Sequence, residues 1–155
     1  MIPPVDHSYA ATQRSMIANV LSQYAWAYDL DRLDFLDACF ARDAHVEFGD
    51  TGLKVGRAAV VAELRRRREK YRPTRQLPWH VISNIFVQLE NSISAHVSSW
   101  YSFGAMERGA PMALNKFGRY DDKFIIEDDA WRIAHRRVLD LNAPNVLDFE
   151  PRPDV

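Results

Sequence analysis

The chain has 155 residues, 47% of them hydrophobic, 12% aromatic and 26% charged, which suits a single folded domain and excludes disorder and low complexity. Twenty basic and 21 acidic residues leave a formal charge of −1, so no global field recruits nucleic acid or an anionic membrane surface. One cysteine, Cys39, excludes an internal disulfide and a cysteine-rich zinc site.

No apolar run approaches the ~20 residues of a membrane span. The opening MIPPVDHSY lacks the basic-then-apolar order of a secretory signal, so a cytoplasmic protein is the expectation. Five of the eight prolines lie near the ends: Pro3, Pro4, Pro144, Pro151 and Pro153. The domain therefore covers residues 1–155, with a folded body over about 8–141 and tails outside it.

Over residues 12–30, Met16, Ile17, Val20, Leu21, Tyr24, Ala27 and Tyr28 recur at three- and four-residue steps, the pattern of an amphipathic helix. Ser8 or Thr12 is its candidate cap. A shorter helix is expected over 32–40, burying Leu33, Leu36 and Phe40. A brief strand over 44–48 enters the turn Gly49-Asp50-Thr51-Gly52 and returns through Leu53 and Val55. Gly56 precedes a third helix over 57–71, which Pro73 ends. Its run Arg65-Arg66-Arg67-Arg68 points to all sides of the helix and reads as a solvated face rather than a nucleic-acid patch.

The second half is rich in Val, Ile, Phe, Tyr and Trp over 80–89, 92–103, 114–126 and 130–141, which predicts four strands. Glu90-Asn91 and Asp128-Asp129 supply turns between them, and residues 104–111 form a longer loop. Helices first and antiparallel strands afterwards indicate an α+β fold. Its expected form is a cone-shaped barrel, a curved and mostly antiparallel sheet wrapped around three N-terminal helices.

Tyr28 belongs to the buried stripe, so Asp29 beside it sits against the apolar interior, where a carboxylate needs a donor. The alternative is a solvated helix-end acid, the reading given to Asp31, Asp34 and Asp37. His80 opens the first long strand after the rigid Pro78-Trp79 segment. Paired with a buried carboxylate it gains a fixed tautomer and serves as a general base near neutral pH; unpaired, it is a strand-edge histidine bonded to backbone. Only the fold can join two residues 51 positions apart.

Asn84, placed on one strand face with His80, Ile82 and Phe86, either holds a substrate oxygen or satisfies backbone. Tyr101, Arg119 and Tyr120 are candidate donors to a developing oxyanion, while Asp121 and Asp122 are expected to pair with Arg119 or Lys123 across strands. His45 and His135 read as surface or sheet-edge residues and His7 as part of the tail. His96 joins a pocket only if its face is concave. No histidine pair has zinc-protease spacing and no HxH occurs, so no metal is expected. Phosphate-binding loops, a GxSxG elbow, a dinucleotide fingerprint and a catalytic cysteine context are also missing from the sequence.

The segment YAWAYDLDRLDFLDACFARDAHVEF resembles the opening helices of the SnoaL-like group in the nuclear transport factor two-like superfamily. VGRAAVVAEL resembles the third helix, and HVISNIFVQLENSISAHVSSWY and GRYDDKFIIEDDAWRIAHRRV resemble the strands that follow. The resemblance covers about residues 10–140. It implies a cofactor-free lyase, isomerase or cyclase acting on a small apolar molecule, aromatic or polyketide-like, within a cone. In the scytalone dehydratase and hexachlorocyclohexane dehydrochlorinase branches, an Asp at the end of the first helix orients a His at the start of a strand. Asp29 and His80 stand at those positions, as catalytic residues, with Tyr28 at one of the dehydratase's water-positioning tyrosines. The dehydratase's second histidine falls near Phe103 and its orienting asparagine near Tyr120, a departure that argues against that same substrate.

Polyketide cyclases of the group work with a carboxylate, a role Asp29 fits alone. Tyr28, Asn84, Tyr101, Arg119 and Tyr120 complete the expected substrate-binding set. The superfamily also implies a homo-oligomer, dimer or trimer, covering the open sheet edge and apolar outer face. Its non-catalytic alternatives are the small subunit of an aromatic-ring-hydroxylating dioxygenase and a small-molecule binding module.

Overall fold

In the computed structural model, which describes residues 7–148, the apolar stripe becomes helix α1, His7–Asp29. Ile17, Leu21, Tyr24 and Tyr28 form its buried face; Met16 is exposed on its shoulder. The helix starts earlier than its periodicity predicts, taking in His7, Ser8 and Thr12. Thr12 does not cap it: its hydroxyl donates to the carbonyl of Ser8 one turn back, at 3.0 Å. Pro3, Pro4, Pro151 and Pro153 and the segment MIPPVD lie outside the described residues.

The second helix is instead two 3₁₀ turns, Leu33–Phe35 and Asp37–Cys39. Leu33, Leu36 and Cys39 are the buried positions, and that three-residue spacing matches 3.0 residues per turn rather than 3.6. Strand β1, Phe40–Phe48, begins immediately afterwards and pairs with the short β2, Gly52–Val55. Helix α2, Arg57–Glu69, follows.

Four long strands complete the chain: β3 Gln76–Leu89, β4 Ser94–Glu107, β5 Lys116–Glu127 and β6 Ala130–Asp140. The sheet order is β2-β1-β6-β5-β4-β3, antiparallel except where β1 runs parallel to β6. It is an α+β arrangement of helices against a six-stranded sheet whose ends do not join. Asp128 and Asp129 both have positive φ, 50° and 58°, giving the tight hairpin twist that joins β5 to β6. The loop before β5 starts only after Glu107, because β4 continues through Gly104, where a Cβ would collide with the Trp79 indole and the Ala113 carbonyl.

One irregularity decides which side chains face inward. Ser83 pairs with Trp100 and Phe86 with Ser98, so two residues of β3, Asn84 and Ile85, lie opposite Ser99 alone. Asn84 takes φ 50°. This β-bulge shifts the alternation by one: Ile82 and Ile85 both pack on the core, while Asn84 and Phe86 turn to the outer face. The core lies between α1, α2 and the inner sheet face, with Leu21, Val60, Phe124 and Ile133 fully buried; each such side chain contributes about 1.5–3 kcal/mol. No helix among the described residues is long and apolar enough to cross a membrane. Among the same residues no group of three or more His, Cys, Asp or Glu side chains is placed to hold a metal.

Candidate active site

Helix α1 ends on Asp29, and β3 carries His80 past that end. Asp29 Oδ2 accepts the backbone N–H of His80 at 2.7 Å, and Oδ1 lies 2.6 Å from Nδ1 of the same residue. Holding both, the carboxylate fixes imidazole position and tautomer together. With the proton on Nδ1 facing Asp29, Nε2 is left with a lone pair on the opposite edge of the ring. The acid is itself held in place. Buried Arg68 of α2 donates through Nε to the Tyr28 carbonyl at 2.8 Å and through Nη2 to the Asp29 carbonyl at 3.3 Å. A cation at a helix C-terminus satisfies carbonyls that have no partner within the helix.

His80 borders a cavity of about 180 Å³. Five of the chain's six tyrosines line it: Tyr24, Tyr28, Tyr71, Tyr101 and Tyr120. The rings of Tyr28, Tyr24 and Phe103 surround the imidazole, with centroids 5.2, 5.9 and 4.7 Å away. Phe103, at the position the resemblance aligns with a second histidine, therefore supplies a wall and no second base. Burial raises the phenols of Tyr24, Tyr28 and Tyr120, and pushes Tyr101 up to about 12. Near neutral pH they are hydrogen-bond donors rather than bases. Gly118 makes room for one of them, since a Cβ there would stand 2.8 Å from the Tyr101 hydroxyl.

Beneath the cavity floor lies a dry ion pair. Arg136 donates to Asp122 through Nε at 2.8 Å and Nη2 at 2.7 Å, and the two side chains are 1% and 0% exposed. Burial pushes the Asp122 carboxyl upward, and Arg136 opposes the rise. The guanidinium sits 4.0 Å from the Tyr120 ring centre and 4.6 Å from that of Tyr24, and those two rings meet edge to face, 6.1 Å apart. Asp122 thus pairs with Arg136 and Asp121 with Arg137, not with Arg119 or Lys123.

The fold brings Tyr28, Asp29, His80, Tyr101 and Tyr120 together. It separates Asn84 and Arg119 from them. The bulge turns Asn84 outward, and Arg119 follows the opposite alternation to its neighbour Tyr120; both border a cleft on the outer sheet face. His96 lies on that face too, with Nδ1 3.1 Å from the Asp122 carbonyl. The arginine run is not a uniformly solvated face: Arg66 and Arg67 clamp Glu63, and Arg68 is buried under α1. Arg67 also covers the Phe48 ring at 4.5 Å beside the cavity. Tyr24 was not among the expected site residues, although its i, i+4 spacing to Tyr28 was the available signal.

The SnoaL-like domain family matches residues 10–137, and the chain belongs to it. No curated protein sequence matches the chain. Among solved structures, a candidate scytalone dehydratase from Novosphingobium aromaticivorans is 19% identical, with TM-score 0.75 and coverage of 95% of this chain and 94% of that one. ActVI-ORFA from Streptomyces coelicolor is 13% identical, with TM-score 0.70 and coverage of 82% and 96%. The β subunit of a candidate aromatic-ring-hydroxylating dioxygenase, also from N. aromaticivorans, is 15% identical, with TM-score 0.65 and coverage of 84% and 90%. These likenesses establish a shared fold, which hosts several chemistries.

Proposed function

We propose that this protein is a cofactor-free lyase, isomerase or cyclase of the dehydratase type, in which His80 oriented by Asp29 removes a proton from carbon. The single observation carrying the reading is the 2.6 Å contact between His80 Nδ1 and Asp29 Oδ1 at the wall of an aromatic cavity. A cavity of about 180 Å³ compares with the ~150 Å³ hollow that admits benzene. One ring of a largely apolar small molecule fits it.

In the proposed step, Nε2 of His80 takes a proton from the carbon next to a carbonyl. The C–H electron pair moves into the new C=C bond, and the carbonyl π pair moves onto oxygen. A tyrosine hydroxyl, from Tyr28, Tyr101 or Tyr120, donates to that oxygen. The enolate then expels a leaving group, takes the proton back at another carbon, or attacks an electrophilic carbon of the same molecule. Those outcomes are elimination, isomerisation and cyclisation. Positioned proton transfer contributes about 10²–10⁴-fold, and oriented donors to the oxyanion add a comparable factor.

The test is loss of α-proton signals in deuterated buffer, followed by NMR across a panel of monocyclic and bicyclic ketones. Wild-type protein is expected to exchange at least one of them, and His80→Ala to lose that activity with its fold intact. Full activity in the variant would remove the proposal. The likeness to a dioxygenase β subunit supports the second reading, a structural subunit; it requires a stable complex with a large partner on co-expression and no exchange by the isolated chain. Self-association through the open edge strand β3, where Leu77 and Val81 are exposed, belongs to the proposed picture as well.

A further inference from the structure

Two arginines are buried in this sheet, and their surroundings differ. Arg136, on the inner side, is met by the carboxylate of Asp122. Arg119, on the outer side, is 5% exposed, and its hydrogen bonds among the described residues go to main chain: Nη2 donates to the carbonyls of Asp148 at 3.0 Å and Asn145 at 3.5 Å. Among the described residues no carboxylate forms an ion pair with it, and its Nε has no hydrogen-bond partner. The acid one step along the same strand face, Asp121, is engaged by Arg137. Withdrawing a guanidinium from water without a counter-charge is costly, so this arrangement calls for an anion.

The space for one is present. Arg119 borders a cleft of about 220 Å³ with Asn84, Phe86, Ser99, Trp100 and Val146. The walls are mainly apolar: Trp100 stacks on Phe117 with ring centres 5.2 Å apart, and Val146 is 4% exposed where the segment after β6 folds back over the sheet. One further polar group reaches it: the bulge that opens opposite Ser99 puts Asn84 on the rim.

We propose that this outer cleft is a second binding site, separate from the tyrosine-lined cavity, for a small aromatic or otherwise apolar monocarboxylate. The carboxylate accepts from Arg119 Nε–H, with Asn84 as an additional donor, and the apolar body lies against Trp100 and Val146. The inference does not depend on the reaction proposed for His80.

Benzoate and its neutral isostere benzamide are the probes, titrated into full-length protein and followed by NMR of the Arg119 Nε–H, Asn84 amide and Trp100 indole signals. Benzoate is expected to shift these three, and to bind roughly 10- to 100-fold more tightly than benzamide, the gain of a charge-assisted hydrogen bond. Arg119→Gln is expected to erase that preference. The wild-type benzoate-to-benzamide ratio needs no variant, and Arg119→Lys, retaining charge but not the planar fork, is expected to keep part of it. The proposal is overturned if benzamide binds as well as benzoate, if benzoate shifts His80 instead of Trp100, or if nothing binds at millimolar concentration. It is equally overturned if the Trp100 signal moves with protein concentration alone, because a second copy then covers the cleft.

Discussion

Replacing Asp122 with alanine probes the floor of the cavity without any knowledge of substrate. In the folded protein the carboxylate makes two bonds to Arg136, at 2.8 and 2.7 Å, with both side chains out of water. Asp122→Ala leaves a buried guanidinium over the faces of Tyr24 and Tyr120 without its counter-charge, with Nη1 already lacking a hydrogen-bond partner among the described residues. Breaking such a pair from one side costs about 3–5 kcal/mol. That is a large part of the ~5–15 kcal/mol by which domains are stable. At roughly 2–4 °C per kcal/mol for a chain of this length, the melting temperature should fall by about 6–20 °C. Urea unfolding followed by tryptophan fluorescence measures the loss. The double variant Asp122→Leu, Arg136→Met should recover most of it, since an apolar pair of similar volume removes the uncompensated charge. A loss below about 1 kcal/mol in the single variant, or a double variant no better than the single, would refute the dry ion pair.

Three further outcomes follow from the same geometry. Arg68→Met removes two charge-assisted bonds to the end of α1 and should cost about 1.5–3 kcal/mol by urea unfolding; an unchanged midpoint would contradict its role in seating Asp29. Glu63, held by Arg66 first and then by Thr51 and Arg67, has its carboxyl lowered from 4.5 to about 2. Its stabilising contribution is therefore complete above 4.5 and lost as pH falls toward 2, so the stability advantage of wild type over Glu63→Gln should shrink across that window, and a constant advantage would contradict the clamp. Cys39 is buried and its thiol is raised to about 12, so Ellman's reagent should modify it only at the rate of unfolding; prompt labelling of native protein would show it exposed.

Much of this architecture is legible in the residues. The Ile17–Leu21–Tyr24–Tyr28 stripe specifies α1 and its buried face, and the β-branched and aromatic runs specify four long strands. Placing Asp29 and His80 near one another came from the family resemblance, because nothing local joins residues 51 apart. Where the reading failed, a local event outweighed a periodic rule. The bulge at Asn84 and Ile85 reverses the alternation of β3, so a face counted from His80 misplaces Asn84 and Phe86. Arg119 and Tyr120 are adjacent on one strand and point to opposite faces, so only one of them can line the inner cavity. Leu33, Leu36 and Cys39 follow a three-residue repeat that a helical template absorbs too easily. The partner of Asp122 lies on the next strand, and only register reveals it.

The proposed catalysis depends most on the orientation of one imidazole. Long-range ¹⁵N NMR of the histidine side chains, at a pH where the ring is neutral, reads it directly. The expected result for His80 is a protonated Nδ1 and a bare Nε2, with that preference lost in Asp29→Ala. A proton found on Nε2 in the wild-type protein, or a His80 spectrum unchanged by removal of Asp29, would contradict the dyad as a base facing the cavity.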